Sequence, residues 1–139
     1  MRQYKVIYLG DSNAGKTSLF LRLTGQYFHD LAEPTLNVDL ARKQVICDEG
    51  TLVSLQLWDT PGQEIYRSLV RTYYRNSQGV FLCLDLGGKD LKIGSKKIEH
   101  DLEALEAWMT ELGQTCTIHE LSFVLLGTKC DLGVEKKHL

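Results

Sequence analysis

The stretch Gly10–Asp11–Ser12–Asn13–Ala14–Gly15–Lys16–Thr17 decides how this chain is read. It matches G-x-x-x-x-G-K-[ST], a loop whose backbone N–H groups surround phosphate oxygens. The flanks are the ones such a loop needs. Before it, the apolar run Val6–Ile7–Tyr8–Leu9 predicts a buried strand; after it, Leu19, Phe20 and Leu23 fall on one face of a helix that Gly25 ends. A strand, a glycine turn and a helix N-terminus bring N–H donors and a positive dipole end to one place, where an anion docks. Gly10 and Gly15 permit the tight turn and a close backbone approach. In that arrangement Lys16 reaches the β- and γ-phosphates and the Thr17 hydroxyl ligates Mg²⁺, with Ser12, Asn13, Ala14 and Ser18 completing the cradle.

Working outward, the 139 residues fit one domain, residues 1–139. Hydrophobic residues at 43% and charged residues at 24% are ordinary for a globular protein, and a net charge of −2 gives no reason to expect nucleic-acid or anionic-membrane binding. Cys47, Cys83, Cys116 and Cys130 have neither C-x-x-C nor metal-ligand spacing, which fits reduced thiols. No apolar stretch approaches the ~20 residues that span a bilayer, and no leader is evident, so a soluble cytoplasmic protein is expected. Strands and helices alternate, which predicts an α/β fold with a mostly parallel sheet. Two extended runs, Leu36–Cys47 and Leu52–Asp59, flank an Asp48–Glu49–Gly50 hairpin turn; in the second, Val53, Leu55 and Leu57 alternate with Ser54 and Gln56, which predicts one buried and one half-open face. Val80–Asp85 and Phe123–Gly127 read as central parallel strands, and Leu102, Leu105, Met109 and Leu112 as a core-facing helix stripe. Leu86–Lys97 is a long connector, read as a surface loop.

Three further motifs bear on chemistry. In Asp59–Thr60–Pro61–Gly62–Gln63–Glu64, an aspartate at a strand's carboxyl end holds Mg²⁺ through water, Gly62 lets its N–H approach a γ-phosphate, and Gln63 orients an attacking water. Asp, Pro and Gly also make ordinary turns, so this reading depends on the phosphate loop. Thr128–Lys129–Cys130–Asp131 follows the last strand, where doubly wound sheets bind ligands. The Asp131 carboxylate can accept from guanine N1–H and the 2-amino group, donors that adenine lacks, while the Lys129 stem lies along the base. Thr35, in Glu33–Pro34–Thr35, can ligate Mg²⁺ when a γ-phosphate draws its loop inward. Phe28 stacks on guanine or else closes the core at the helix end.

With these motifs the chain resembles a small GTPase of the Ras superfamily, and most of all the Rab branch. Gly10–Asp11–Ser12, Thr35–Leu36–Asn37–Val38–Asp39, Leu55–Gln56–Leu57–Trp58–Asp59 and Tyr73–Tyr74–Arg75–Asn76 carry the resemblance. It implies a P-loop NTPase G domain: a doubly wound, mostly parallel sheet with one antiparallel edge strand. It also implies GTP and GDP as ligands, Mg²⁺ on Thr17, Thr35 and Asp59, Gln63 as the catalytic residue, and a switch role in vesicle traffic. Leu40, Trp58 and Tyr73 fall where Rab proteins show an apolar triad to effectors; an exchange factor and a GTPase-activating protein are the other implied partners. Pro61 stands where the family usually has alanine and stiffens the hinge. Thr128 replaces a common asparagine, and His29–Ala32 offers no tyrosine. Slow intrinsic hydrolysis follows as the expectation. Set against the family pattern the chain reads as C-terminally truncated, without the last strand, the last helix or a prenylation tail. That predicts an exposed apolar face, left open or covered by a partner or second copy. The competing reading is a non-catalytic GTPase-like module acting through protein contacts.

Overall fold

Strand β1 (Arg2–Leu9) ends in four residues, Val6 to Leu9, that are buried on both sides of the sheet. Such a strand is stable only at the centre of a sheet covered twice. The computed structural model describes residues 1–25, 39–60, 67–87, 92 and 94–132, with the backbone alone for 67–70. Within these, β1 pairs in parallel with β3 (Leu52–Asp59) on one side and β4 (Gly79–Asp85) on the other. Strand β2 (Asp39–Ile46) runs antiparallel to β3, and β5 (Ser122–Thr128) parallel to β4, so the order is β2-β3-β1-β4-β5. The expected mostly parallel sheet with one antiparallel edge strand is present. The β2–β3 hairpin closes through Cys47 N donating to Thr51 O at 2.9 Å and Gly50 N to Cys47 O at 2.8 Å.

Alternation along β1 divides the core in two. Val6 and Tyr8 meet Leu57, Cys83 and Phe20 of helix α1 (Lys16–Leu23). Ile7 and Leu9 meet Val80, Leu82, Tyr74 of α2 (Arg67–Tyr74), and Trp108 and Leu112 of α3 (Lys96–Gly113). Tyr8 is held edge-on by Phe20 and Phe81, with ring centroids 6.0 and 5.1 Å away. Helix α3 starts at an N-cap, where Ser95 Oγ accepts from Ile98 N at 3.4 Å. Residues 88–91 and 93 of the long connector lie outside the described residues. All four cysteines are free. Among the described residues no helix is long and apolar enough to cross a membrane.

Three expectations are corrected. The expected core-facing stripe of α3 holds for Leu105, Met109 and Leu112, which pack into the core beside Trp108, but Leu102 is 54% exposed. Trp108 falls between Leu105 and Leu112 at helical spacing, on the same face, and its aromatic bulk fills the core there. Ser54, expected on the half-open face of β3, is buried. Strand β5 is not central: it pairs with β4 alone among the described strands, and Val124 and Leu125 are exposed.

Candidate functional site

The parallel strands β1, β3, β4 and β5 all point their carboxyl ends the same way, so the segments that follow them gather at one end of the sheet. After β1, the loop turns at Gly10 with φ 148° and at Gly15 with φ 84°. Asn13 takes φ 64°, a left-handed conformation its short amide tolerates. Gly15 caps α1 without any side-chain hydrogen bond, and the first turn carries no acidic residue. The first ladder bond of the helix is Leu19 N to Gly15 O, 3.0 Å. The N–H groups of the first turn, Lys16 to Ser18, have no acceptor one turn earlier within the helix, the arrangement that suits an anion. Lys16 is buried and its ammonium donates to Gly10 O and Asp11 O, each at 2.8 Å. Burial lowers its pKa, and the nearby Asp59 carboxylate works against that.

After β3 comes Asp59, fully buried, whose Oδ2 accepts the Thr17 hydroxyl at 2.6 Å. Its Oδ1 is buried without a hydrogen-bond partner. Thr60 fixes this strand end, donating from Oγ1 to Tyr8 O at 2.6 Å. Desolvation pushes the Asp59 carboxyl up to about 6; the Thr17 bond and Lys16 pull it back, while Asp39 across the hairpin adds to the rise. A buried carboxylate with one oxygen on a hydroxyl and one open suits a hard divalent cation with oxygen ligands. Thr17 and Asp59 thus fit Mg²⁺.

The raised pKa also sets a pH dependence. Between the model-peptide carboxylate range near 3.8 and about 6 the folded protein holds a proton on Asp59 that the unfolded chain has lost. Without nucleotide and Mg²⁺, the stability that this group contributes is therefore greatest below that window and falls as pH rises through it. The fall is on the order of 2–3 kcal/mol. Asp59→Asn should flatten it, as urea unfolding in EDTA at pH 4.5 and 7.5 will show; an unchanged slope would exclude Asp59 as its source.

After β5, Thr128 is buried and its hydroxyl donates to Ala14 O at 2.7 Å, with Leu84 O at 3.2 Å. One side chain thus ties the loop after β5 to the phosphate loop. Thr128→Val keeps the shape and leaves these carbonyls without that donor, an expected loss of about 1–3 kcal/mol in denaturant unfolding. Lys129 takes φ 58°, and its ammonium pairs with Asp85 Oδ2 at 3.0 Å. Asp85 Oδ1 accepts from Gly87 N at 2.8 Å, so one carboxylate organises both turns. Asp131 is exposed beside them.

Ser12, Asn13, Ala14, Gly15, Lys16, Thr17, Ser18, Asp59, Thr128, Lys129 and Asp131 thus lie at one end of the sheet. Phe28, Thr35, Pro61, Gly62 and Gln63 lie outside the described residues. Asp85, Thr60 and Trp108 were not singled out in the sequence. Asp85 carried the signal of a carboxylate closing an apolar strand; the other two carried none. Leu40 stands opposite Trp58 across the β2–β3 pair, and Trp58 lies 5.5 Å from Tyr73, ring centroid to centroid. Leu40 and Tyr73 are exposed, so the three form a surface patch.

The Ras family matches this chain over residues 5–138. The chain is 35% identical over 139 residues to Ras-related protein Rab-39A of Mus musculus, covering 97% of this chain and 59% of that protein. It is 37% identical over 127 residues to Ras-related protein Rab-18-B of Danio rerio, covering 91% and 57% respectively. RabG2 of Dictyostelium discoideum is 35% identical over 129 residues, covering 93% and 59%. The chain spans less than two thirds of the length of these relatives. A family match along nearly the whole chain, on a sheet wound in this order, places the chain in the Ras family, beside its Rab-named members.

Proposed function

We propose that the chain binds GTP and GDP with Mg²⁺, hydrolyses GTP slowly, and works as a Rab-like switch in vesicle traffic. Asp59 carries this reading. It is fully buried, bonded to Thr17 through one oxygen, without a hydrogen-bond partner at the other, and set beside the N-terminus of α1, which no side chain caps. The N–H groups of Gly15 to Ser18 and the Lys16 ammonium take the phosphates, and Gly62 adds an N–H to the γ-phosphate. Thr17 and Asp59 would hold Mg²⁺ together with Thr35, and the bound ion screens the phosphate charge. Asp131 accepts from the guanine edge, Lys129 and Phe28 flank the base, and Thr128 joins the base side to the phosphate side. Gln63 orients a water whose oxygen attacks the γ-phosphorus; the bond to the β–γ bridging oxygen breaks, and GDP and inorganic phosphate leave. An exchange factor, a GTPase-activating protein and effectors are the proposed partners, with Leu40, Trp58 and Tyr73 as an effector contact.

Single-turnover hydrolysis of loaded GTP tests the reading. The expected result is slow release of phosphate, at least about tenfold slower in Gln63→Leu, a typical loss when one positioned general-base or water-orienting group is removed. Tight GTP binding with no hydrolysis in either protein would instead point to a non-catalytic module.

A further inference from the structure

The phosphate loop contains a carboxylate of the wrong sign for its proposed ligand. Asp11 belongs to the frame of that loop, since its carbonyl accepts from Ala14 N at 3.1 Å and from Lys16 Nζ at 2.8 Å. A negative side chain free to swing over the loop would repel phosphate oxygens through a poorly screened path. The structure turns it elsewhere. Asp11 Oδ1 accepts the indole N–H of Trp108 at 2.9 Å, from a helix 97 positions further along the chain. Trp108 is 2% exposed and packed with Ile7, Leu9 and Leu112, so the donor's position is fixed by the core. Between the loop and α3 lies a cleft of about 190 Å³ to which Asp11, Ala104, Leu105 and Trp108 contribute, and this is the space beside the tethered carboxylate.

We propose that Trp108 is a positioning residue for nucleotide binding: its indole N–H holds the Asp11 carboxylate on the α3 side, away from the bound phosphates. The inference rests on the guanine-nucleotide reading above. It separates from a plain packing role because its effect depends on the charge of Asp11. Trp108→Phe keeps an aromatic ring in the core and deletes the donor. Asp11→Asn removes the charge.

The test is the release rate of a fluorescent GDP analogue from the full chain, measured as a double-mutant cycle. Trp108→Phe should speed release about tenfold, the scale of one hydrogen bond to a charged group. In the Asp11→Asn background the same change should speed it less than about twofold. Asp11→Glu, which alters no core residue, lengthens the carboxylate beyond the indole and should also speed release several-fold. Because the chain has two tryptophans, Trp58→Phe identifies the Trp108 indole N–H resonance, which should shift in Asp11→Glu. Equal effects of Trp108→Phe in both backgrounds, or unchanged release in Asp11→Glu, would overturn the inference. If Trp108→Phe does not fold, Asp11→Glu alone decides. A wild-type chain that takes up no guanine nucleotide would overturn the functional reading itself, and is seen before any variant is made.

Discussion

Gly10→Ala is expected to cost at least about 3 kcal/mol of folding stability, a large share of the about 5–15 kcal/mol that holds a typical domain folded. Gly10 adopts φ 148°, and a Cβ there would sit 2.4 Å from the carbonyl oxygen of Cys83. That oxygen cannot move aside cheaply, because Cys83 lies within β4, paired with Leu126 of β5. The clash is thus with sheet backbone rather than with the end of a flexible side chain. The carbonyl of Gly10 also accepts from Lys16, so a displaced loop loses that bond as well. Gly50→Ala supplies the comparison: φ is 74° and nothing lies within 4 Å of its Cβ position. Only the left-handed backbone preference is lost there, about 1 kcal/mol. Urea unfolding of the two variants should differ by at least about 2 kcal/mol, the difference between these two effects. Equal destabilisation would mean that the loop does not rest on β4 as described.

Lys16→Ala should weaken guanine-nucleotide binding by about 10²–10³-fold, the scale for losing one member of a buried charge pair. Lys16 is 5% exposed and its ammonium is bonded to the carbonyls of Gly10 and Asp11, neutral acceptors that only partly offset its desolvation. A phosphate anion in the loop offers charge-assisted bonds in their place, which are shorter and stronger. Its burial therefore favours exchange of carbonyls for phosphate. Lys16→Arg should fail nearly as badly, since a planar fork does not fit a site shaped for a compact ammonium. Titration calorimetry with GDP and Mg²⁺ measures both. Affinity within about tenfold of wild type in Lys16→Ala would remove Lys16 from the phosphate site.

Local chemistry made most of this site legible. The glycines, Lys16 and Thr17 are spaced by a backbone geometry that few other sequences satisfy, and Asp59 and Thr128 to Asp131 each close an apolar run. The buried placement of β1 and β4 followed from the same runs, because a strand covered on both faces reads as continuous apolar sequence; β5, another such run, pairs on one side alone among the described strands. Contacts between distant segments were not legible. The 2.7 Å bond from Thr128 to Ala14 and the 2.9 Å bond from Trp108 to Asp11 join residues about a hundred positions apart. In the sequence Thr128 looked like a lost amide and Trp108 went unmarked beside the leucines of its helix. Burial of Ser54 was hidden for a similar reason: its polarity argued for the open face, and only the packed sheet overrode it. The segments holding Phe28, Thr35, Gly62 and Gln63 lie outside the described residues, so their roles rest on motif and family.

The most direct test of the account is the identity of the nucleotide carried by freshly purified protein, released by acid and resolved by chromatography. GDP or GTP at close to one mole per mole is predicted, displaced by added GDP and not by ATP. Protein that is folded yet carries no nucleotide and takes up none from GDP with Mg²⁺, or that exchanges as readily with ATP, would contradict it.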